Sequence, residues 1–467
     1  MWGTKTMTGK RLSPSDAMFL YGESPETMMH VASMNPFSPP ADASPDELRQ
    51  LMDEVRRDPV VHSPWNLALS APRRLRTARQ RWVEVPEVDV EYHVRRTGLP
   101  APGDERELGI VVSRLHGHAI DLGRPPWEVH LIEGLEGGRF AMYVKVHHAL
   151  VDGYSAMRLL AGALSPDPGD RERPLFFSIP PPARPPRDNG PPGIHFPELL
   201  AQLRGQYGAS KSVVQAVLRV VRRSRAGDRE LVTPLRAPRC VLNARISRSR
   251  RFASQKLDAS RMRAVAKAAG GTLNDVVLAL SAASLRRYLL EQGALPSAPL
   301  VAMLPVSLRA KGDAGGGNAV AAMLASLATD LADPGERLAA IVSSTASAKQ
   351  QMQGMSRAAI LQYSSLLCAP AMLQMMPSVA GRVPPTFNLV ISNVPGPEEP
   401  LYFRGARLEG SFPMSIPVHG QALNITCASY AGSVCFGFTG CRDTVPHLQR
   451  MAVFCGEALG ELERAVS

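Results

Sequence analysis

RFAMYVKVHHALVDGYSAMRLL, residues 139–160, decides how the chain is read. Phe140 to Val146 is rich in β-branched and aromatic residues and reads as a strand. His147 and His148 stand at its end. Asp152 and Gly153 mark a turn, and GYSAMRLL continues as a helix. Two imidazoles on a rigid strand end, with a carboxylate four residues beyond, make a candidate site for proton transfer. An imidazole titrates near neutrality, and a general base also needs a fixed tautomer and access to its substrate. His148 is the candidate base and His147 its neighbour. Asp152 has two roles open to it: orienting the ring, or pinning the turn by pairing with an arginine. It also suits the N-cap of the following helix, so a purely structural reading of HHxxxDG stays open. Gly153 is expected to allow the sharp bend.

Upstream of this stretch, SPDELRQLMDEVRRD and ERELGIVVSRLHGHAID have helical spacing. VDVEYHVRRT alternates as a strand, and WEVHLIEGL is a strand joined to RFAMYVKV by the turn EGGR. Downstream, residues 165–197 contain eleven prolines. Proline removes backbone donors and blocks helix interiors, so this segment reads as an extended connector. Residues 199–221 follow with an amphipathic helical pattern that suits packing on the protein body or lying on a membrane surface. Beyond it the mixture repeats. RRFASQKL, PLVAMLPVSLR, NAVAAMLASLATD and TFNLVISNVPGP read as strands, and ALNITCASYAGSVCFGFTG as a hairpin. Helices are expected from Asp258, across TLNDVVLALSAASLRRYLLEQG, from Pro334, from Ser356 and at the C-terminus. The division is an N-terminal domain over 1–164, a connector with basic amphipathic helices over 165–240, and a C-terminal domain over 241–467. Both domains are mixed α and β.

The 467 residues are 45% hydrophobic and 20% charged, a globular composition. No run reaches the roughly 18 apolar residues of a spanning helix. The N-terminus lacks the apolar core of a signal peptide, so an intracellular protein is expected. The six cysteines form no CxxC pair and have no histidine at metal-ligand spacing, which points to buried free thiols and no metal. Of the formal charge of +11, +9 falls between Arg219 and Arg251. Such a run suits a cofactor phosphate or acidic lipid headgroups, or a solvated linker. With few interleaved aromatics and no recognisable module, nucleic acid is not an expected partner.

HHALVDG matches the HHxxxDG signature of the coenzyme A-dependent acyltransferase superfamily. Further blocks resemble one branch of it, the bacterial wax ester synthase/diacylglycerol acyltransferase family. LSPSDAMFL and MHVASM are similar to that family's opening. HAIDLGRPPWEVHLIEGLEGGRFAMYVKVHHALVDG is similar to its central block, and GGTLNDVVLALSAASLRRYL to its Asn-Asp motif. LPVSLR, GGGNAVAAMLASL and ISNVPGPEEPLYFRGARL follow in the family's order. One departure stands out. The family usually has Pro-Leu-Trp where this chain has Pro125-Pro126-Trp127, which bears on acceptor or chain-length preference.

The resemblance implies an α/β fold with mixed sheets: two chloramphenicol-acetyltransferase-like domains with the active site in an interdomain tunnel. It implies diacylglycerol O-acyltransfer from acyl-CoA, with His148 as base, acyl-CoA as co-substrate and no permanently bound cofactor. Wax ester synthesis from a long-chain alcohol is the alternative within this chemistry. A condensation-type acyltransferase and a non-catalytic lipid-binding protein are alternatives outside it. No GxSxG elbow supplies an acyl-enzyme nucleophile. Asp275 fits a capping box with Thr272, and Asn274 is left free to hold an oxyanion or the acyl carbonyl. Asn393, Pro395 and Gly396 belong to a rigid turn that the resemblance assigns to the tunnel wall. Arg309 suits either the partner of a buried carboxylate or a surface position. GDAGGGN lacks the Lys-Ser/Thr of a phosphate-binding loop. The expected location is cytoplasmic, in peripheral contact with the anionic inner face of the plasma membrane or with lipid inclusions.

Overall fold

The computed structural model of the chain describes residues 9–44, 46–57, 60–75, 80–180, 237–307, 320–353, 355–376 and 378–467. The helical run over 199–221, the arginines up to Arg236, Arg309 and the GDAGGGN loop lie outside them. The chain forms two compact units. One is Met1–Pro192 together with Gly396–Ile416, and the other is Gly193–Pro395 together with Pro417–Ser467.

In the first unit the described strands are β1 (Lys10–Arg11), β2 (His30–Ser38), β3 (Leu67–Leu69), β4 (Arg81–Glu84), β5 (Val94–Gly98), β6 (Trp127–Glu133) and β7 (Phe140–His147). The second unit holds β8 (Arg250–Asp258), β9 (Val301–Ser307), β10 (Val320–Ser326) and β11 (Leu389–Val394). The chain then returns to the first unit for β12 (Tyr402–Phe403), β13 (Ala406–Leu408) and β14 (Phe412–Met414), and ends in the second with β15 (Leu423–Tyr430) and β16 (Ser433–Cys441).

The main sheet of the first unit runs β12-β13-β2-β7-β6-β5, with β14 also on β2. All pairs are antiparallel except β5 with β6. A parallel pair needs a crossover, and the helix Glu105–His116 supplies it. Asp104 caps that helix by accepting from the Glu107 N–H at 2.8 Å. Leu108, Val111 and Val112 are its buried face. At the other end, the Lys145 ammonium donates to the carbonyls of Leu115 (3.2 Å) and His118 (3.1 Å), where the helix dipole favours a cation. Lys145 is 1% exposed and pairs with Glu128 at 3.0 Å, its cross-strand partner in the β6–β7 ladder. A buried charge needs such company.

The second unit's sheet runs β10-β9-β11-β15-β16-β8, mixing parallel pairs (β9–β11, β11–β15) with antiparallel ones. The helices Ala259–Ala268, Leu273–Glu291, Pro334–Met352 and Gln449–Val466 contribute to its core, where Leu280, Ile341, Phe436 and Leu459 cluster. Leu273–Glu291 buries residues on every side, which is why its sequence shows a continuous apolar run instead of a stripe.

Three readings of the sequence change. The alternating run VDVEYHVRRT becomes a strand only from Val94. Val90–His93 is one helical turn, capped by Asp89, whose side chain accepts from the Tyr92 N–H. The proline-rich connector does not begin as a free extended segment: Leu175, Phe176 and Phe177 are buried, and both phenylalanines pack on Trp127. Proline spacing signals the missing donors but not the apolar side chains between them. Residues 396–416, placed by the sequence with the C-terminal domain, instead add their strands to β2 of the first unit.

Candidate active site

His147 closes β7, and its backbone N–H donates to the carbonyl of Pro126 at 2.9 Å. The next N–H, of His148, donates to Met29 at 2.8 Å. Pro125-Pro126-Trp127 and the MHVASM strand therefore hold the backbone of the histidine pair from two sides. Pro125, Pro126 and Trp127 are buried. The Trp127 indole donates to the Trp65 carbonyl at 2.7 Å, and His93 stacks on its ring at 4.4 Å. Trp127 is a core anchor for the strand entering the site.

The two imidazoles differ. His147 is fully buried. Its Nδ1 accepts from the Ala149 N–H at 3.1 Å, which leaves the hydrogen on Nε2 to be donated to Glu23 Oε2 at 3.3 Å. Its tautomer is thus set by two partners. His148 is half-buried and stacks on Phe19, with ring centroids 4.0 Å apart and planes 21° from parallel. Its buried Nδ1 has no hydrogen-bond partner from another described residue; it faces the backbone carbonyl of His148 itself. Burial pushes the His148 pKa down to about 4, against the opposing pull of Asp152 and of its own carbonyl. The ring is neutral at physiological pH, the state a base requires.

Asp152 caps the helix Gly153–Gly162, accepting from the Ser155 N–H at 2.8 Å and its hydroxyl at 3.1 Å. Its charge also favours the protonated His148. Gly153 is not in the left-handed region, and a Cβ there would meet nothing within 4 Å. The bend is made by the extended backbone of Asp152, not by glycine's freedom.

Asn274 and Asp275 lie in the second unit. Asp275 is buried and fully engaged. It receives the Thr272 N–H and hydroxyl, both at 2.7 Å, and the Thr345 hydroxyl at 2.6 Å. Its place is structural. Asn274, half-buried on the same first turn, is not consumed by the cap. Asn393 sits on β11 beside Cys427 of β15, and its buried Oδ1 has no partner among the described residues. Pro395 ends one stretch of the second unit, and Gly396 begins the segment that rejoins the first. Among the described residues, no group of three or more His, Cys, Asp or Glu side chains is placed to hold a metal. Phe19 and Glu23 escaped the sequence reading as individual residues. The LSPSDAMFL block carried a signal for Phe19, but Glu23 lies 124 residues from its histidine and nothing local marks it.

Comparison with known proteins identifies the family. The wax ester synthase/diacylglycerol acyltransferase catalytic domain family matches residues 12–277, and the family's C-terminal domain matches residues 316–463. Two relatives from Mycobacterium tuberculosis are provisionally named diacylglycerol O-acyltransferases. One is 50% identical over 98% of both chains, and the other 42% identical over 97% of this chain and 99% of its own. The solved wax ester synthase/diacylglycerol acyltransferase from Marinobacter aquaeolei VT8 is 39% identical, with a TM-score of 0.77 over 98% of this chain and 100% of that one. The first condensation domain of the calcium-dependent antibiotic synthetase shares the fold alone, at 17% identity and a TM-score of 0.58 over 99% of this chain and 97% of that one. The chain belongs to the wax ester synthase/diacylglycerol acyltransferase family.

Proposed function

We propose that this protein transfers a long-chain acyl group from acyl-CoA to the free hydroxyl of diacylglycerol, forming triacylglycerol and CoA. The observation that carries the reading is the neutral imidazole of His148, at the end of β7 and stacked on Phe19, in a chain of this family. Nε2 of His148 accepts the hydroxyl proton as the oxygen attacks the thioester carbonyl. The tetrahedral intermediate collapses, the C–S bond breaks, and the thiolate takes the proton back from the imidazolium. Together the two steps return the ring to its starting state, and because the hydroxyl attacks the thioester directly no acyl-enzyme is needed. Asp152 and the His148 carbonyl stabilise the imidazolium while it exists. Asn274 is the candidate donor to the oxyanion.

A long-chain alcohol could replace diacylglycerol at the same base, and the Marinobacter protein's name covers both reactions. The full-length relatives at 50% and 42% favour diacylglycerol. Labelled acyl-CoA offered to purified protein with a panel of acceptors, with product lipids separated, decides between them. Triacylglycerol as the dominant product supports the proposal. Wax ester as the dominant product, or no transfer to either alcohol, overturns it.

Its acceptor is nearly insoluble, so the proposal includes peripheral contact with an anionic membrane or a lipid inclusion, on the cytoplasmic side. Among the described residues no single helix is long and apolar enough to cross a membrane. Of the basic run, Arg239, Arg245 and Arg248 are exposed, whereas Arg250 is buried, donating to the carbonyls of Ser247 and Ser249. Each exposed arginine near an anionic surface contributes about 1 kcal/mol, screened by salt. Binding to anionic liposomes that weakens in high salt is expected. Salt-independent binding would refute the electrostatic part.

A further inference from the structure

The helix Pro14–Gly22 and the residue that closes it, Glu23, meet the histidine turn at two points. At its start Asp16 forms a capping box with Ser13, and its carboxylate is repelled by that of Asp152 without touching it. In its middle Phe19 lies flat on the His148 ring at 4.0 Å. At its end the Glu23 carboxylate holds the Nε2–H of His147 at 3.3 Å and also receives the Met29 N–H at 2.6 Å. Leu20 anchors the helix in a small core with Leu69, Trp82 and Ala149, against which Phe19 and Leu150 also pack. The residues immediately after His148 are thus part of the same apolar cluster as the helix.

We infer that this N-terminal helix is a clamp on the histidine pair, with Phe19 and Glu23 as positioning residues for acyl transfer. The inference rests on the reading of His148 as the base. A base works only in a near-attack geometry, and an imidazole on a turn has free rotation about χ1 and χ2 unless something stops it. Nδ1 of His148 has no donor or acceptor from another described residue to hold it. The flat face of Phe19 supplies the missing constraint: a ring turned out of plane would collide with it or lose its stacking. Glu23 does the equivalent for His147 by a hydrogen bond. Covering one face of His148 with hydrocarbon also keeps water from the ring. Burial of the ring, to which that face contributes, is the physical cause of its lowered basicity, opposed by Asp152 at the start of the following helix and reinforced by His147 on β7. Asp16, Tyr21 and Glu23 are the ionisable groups on the clamp itself.

The test is Phe19→Leu, which keeps apolar bulk and removes the flat face, alongside Phe19→Tyr, which keeps the face. Phe19→Met, more forgiving in packing, carries the same test should the leucine variant not fold. In the leucine variant kcat should fall roughly two- to tenfold, the scale of one aromatic pair, with KM for acyl-CoA unchanged. The acid limb of kcat/KM should move to higher pH as water reaches the ring. Tyrosine should restore both. In a His148→Ala background the leucine substitution should cost nothing further, since there is no ring left to hold. Glu23→Ala should lower kcat more than Glu23→Gln, which keeps an oxygen acceptor for His147. An unmoved acid limb with an equal loss in the His148→Ala background would make Phe19 mere packing and overturn the clamp. An inactive His148→Ala with a wild-type Phe19→Leu would overturn the clamp but leave the base in place. A His148→Ala of near-normal rate would overturn the base itself.

Discussion

Replacing Asp152 separates two roles that one carboxylate performs. The first is the cap: its oxygens receive the Ser155 N–H at 2.8 Å and the Ser155 hydroxyl at 3.1 Å. Asp152→Ala removes both and should cost about 1 kcal/mol, a fall in melting temperature of roughly 2–4 °C for a unit of this size. Asp152→Asn keeps an acceptor of equal capping rank and forfeits only the favourable meeting of a charge with the helix dipole, a few tenths of a kcal/mol. The second role is electrostatic. The carboxylate raises the pKa of His148, the largest pull against burial. Without the charge that pKa drops below about 4. The acid limb of kcat/KM then moves to lower pH, and the imidazolium formed during transfer loses its counter-charge. A loss of one pKa unit corresponds to about 1.4 kcal/mol, or about tenfold in rate. Asparagine should therefore be nearly as stable as wild type and about tenfold slower, while alanine should be slower and less stable. Thermal melts and pH–rate profiles of both variants measure this. An asparagine variant that melts as low as alanine but keeps the wild-type rate and acid limb would refute the division of labour.

Three further outcomes are expected. Lys145→Met strands the buried Glu128 carboxylate, which its neighbours hold down to about 2 despite burial; it should destabilise the protein by about 3–5 kcal/mol in denaturant melts, with much of that recovered in the double variant Lys145→Met/Glu128→Leu. Acid should destabilise the native state: burial keeps His148 neutral down to about 4 and lowers His30, His93 and His130 too, so the unfolded chain binds more protons as pH falls below about 6.5, and His148→Gln should flatten this slope. Asp275→Ala should cost about 2 kcal/mol through the lost capping box and the stranded Thr345 hydroxyl, whereas Asn274→Ala should lower kcat and leave the melting temperature unchanged.

The strand–turn–helix at residues 140–162 was legible because each signal in it is local: β-branched and aromatic residues, then a capping aspartate, then helical spacing. Asp275 was legible for the same reason, since a capping box is a four-residue pattern. What was not legible depends on distant partners. Nothing near Phe177 tells that Trp127 waits for it, and a proline count argues the other way. Nothing near Glu23 tells that His147 will need an acceptor. The turn of helix at Val90–His93 sits in an alternating pattern that its Asp89 cap overrides. The role of Gly153 was misjudged because Asp-Gly is so often a left-handed turn, whereas here the glycine simply begins a helix.

The return of residues 396–416 to the first sheet has a consequence for synthesis. On the ribosome β2 emerges early, but its partners β13 and β14 follow only after the whole of β8 to β11 has been made. At about 5–20 residues per second that interval lasts tens of seconds. Throughout it one edge of β2 offers unpaired N–H and C=O groups, the kind of edge that recruits other strands. The N-terminal unit is therefore not a fragment that can mature first and wait. A chain cut after the connector should be retained by chaperones or lost to aggregation, and adding residues 396–416 back as a separate peptide should rescue its solubility.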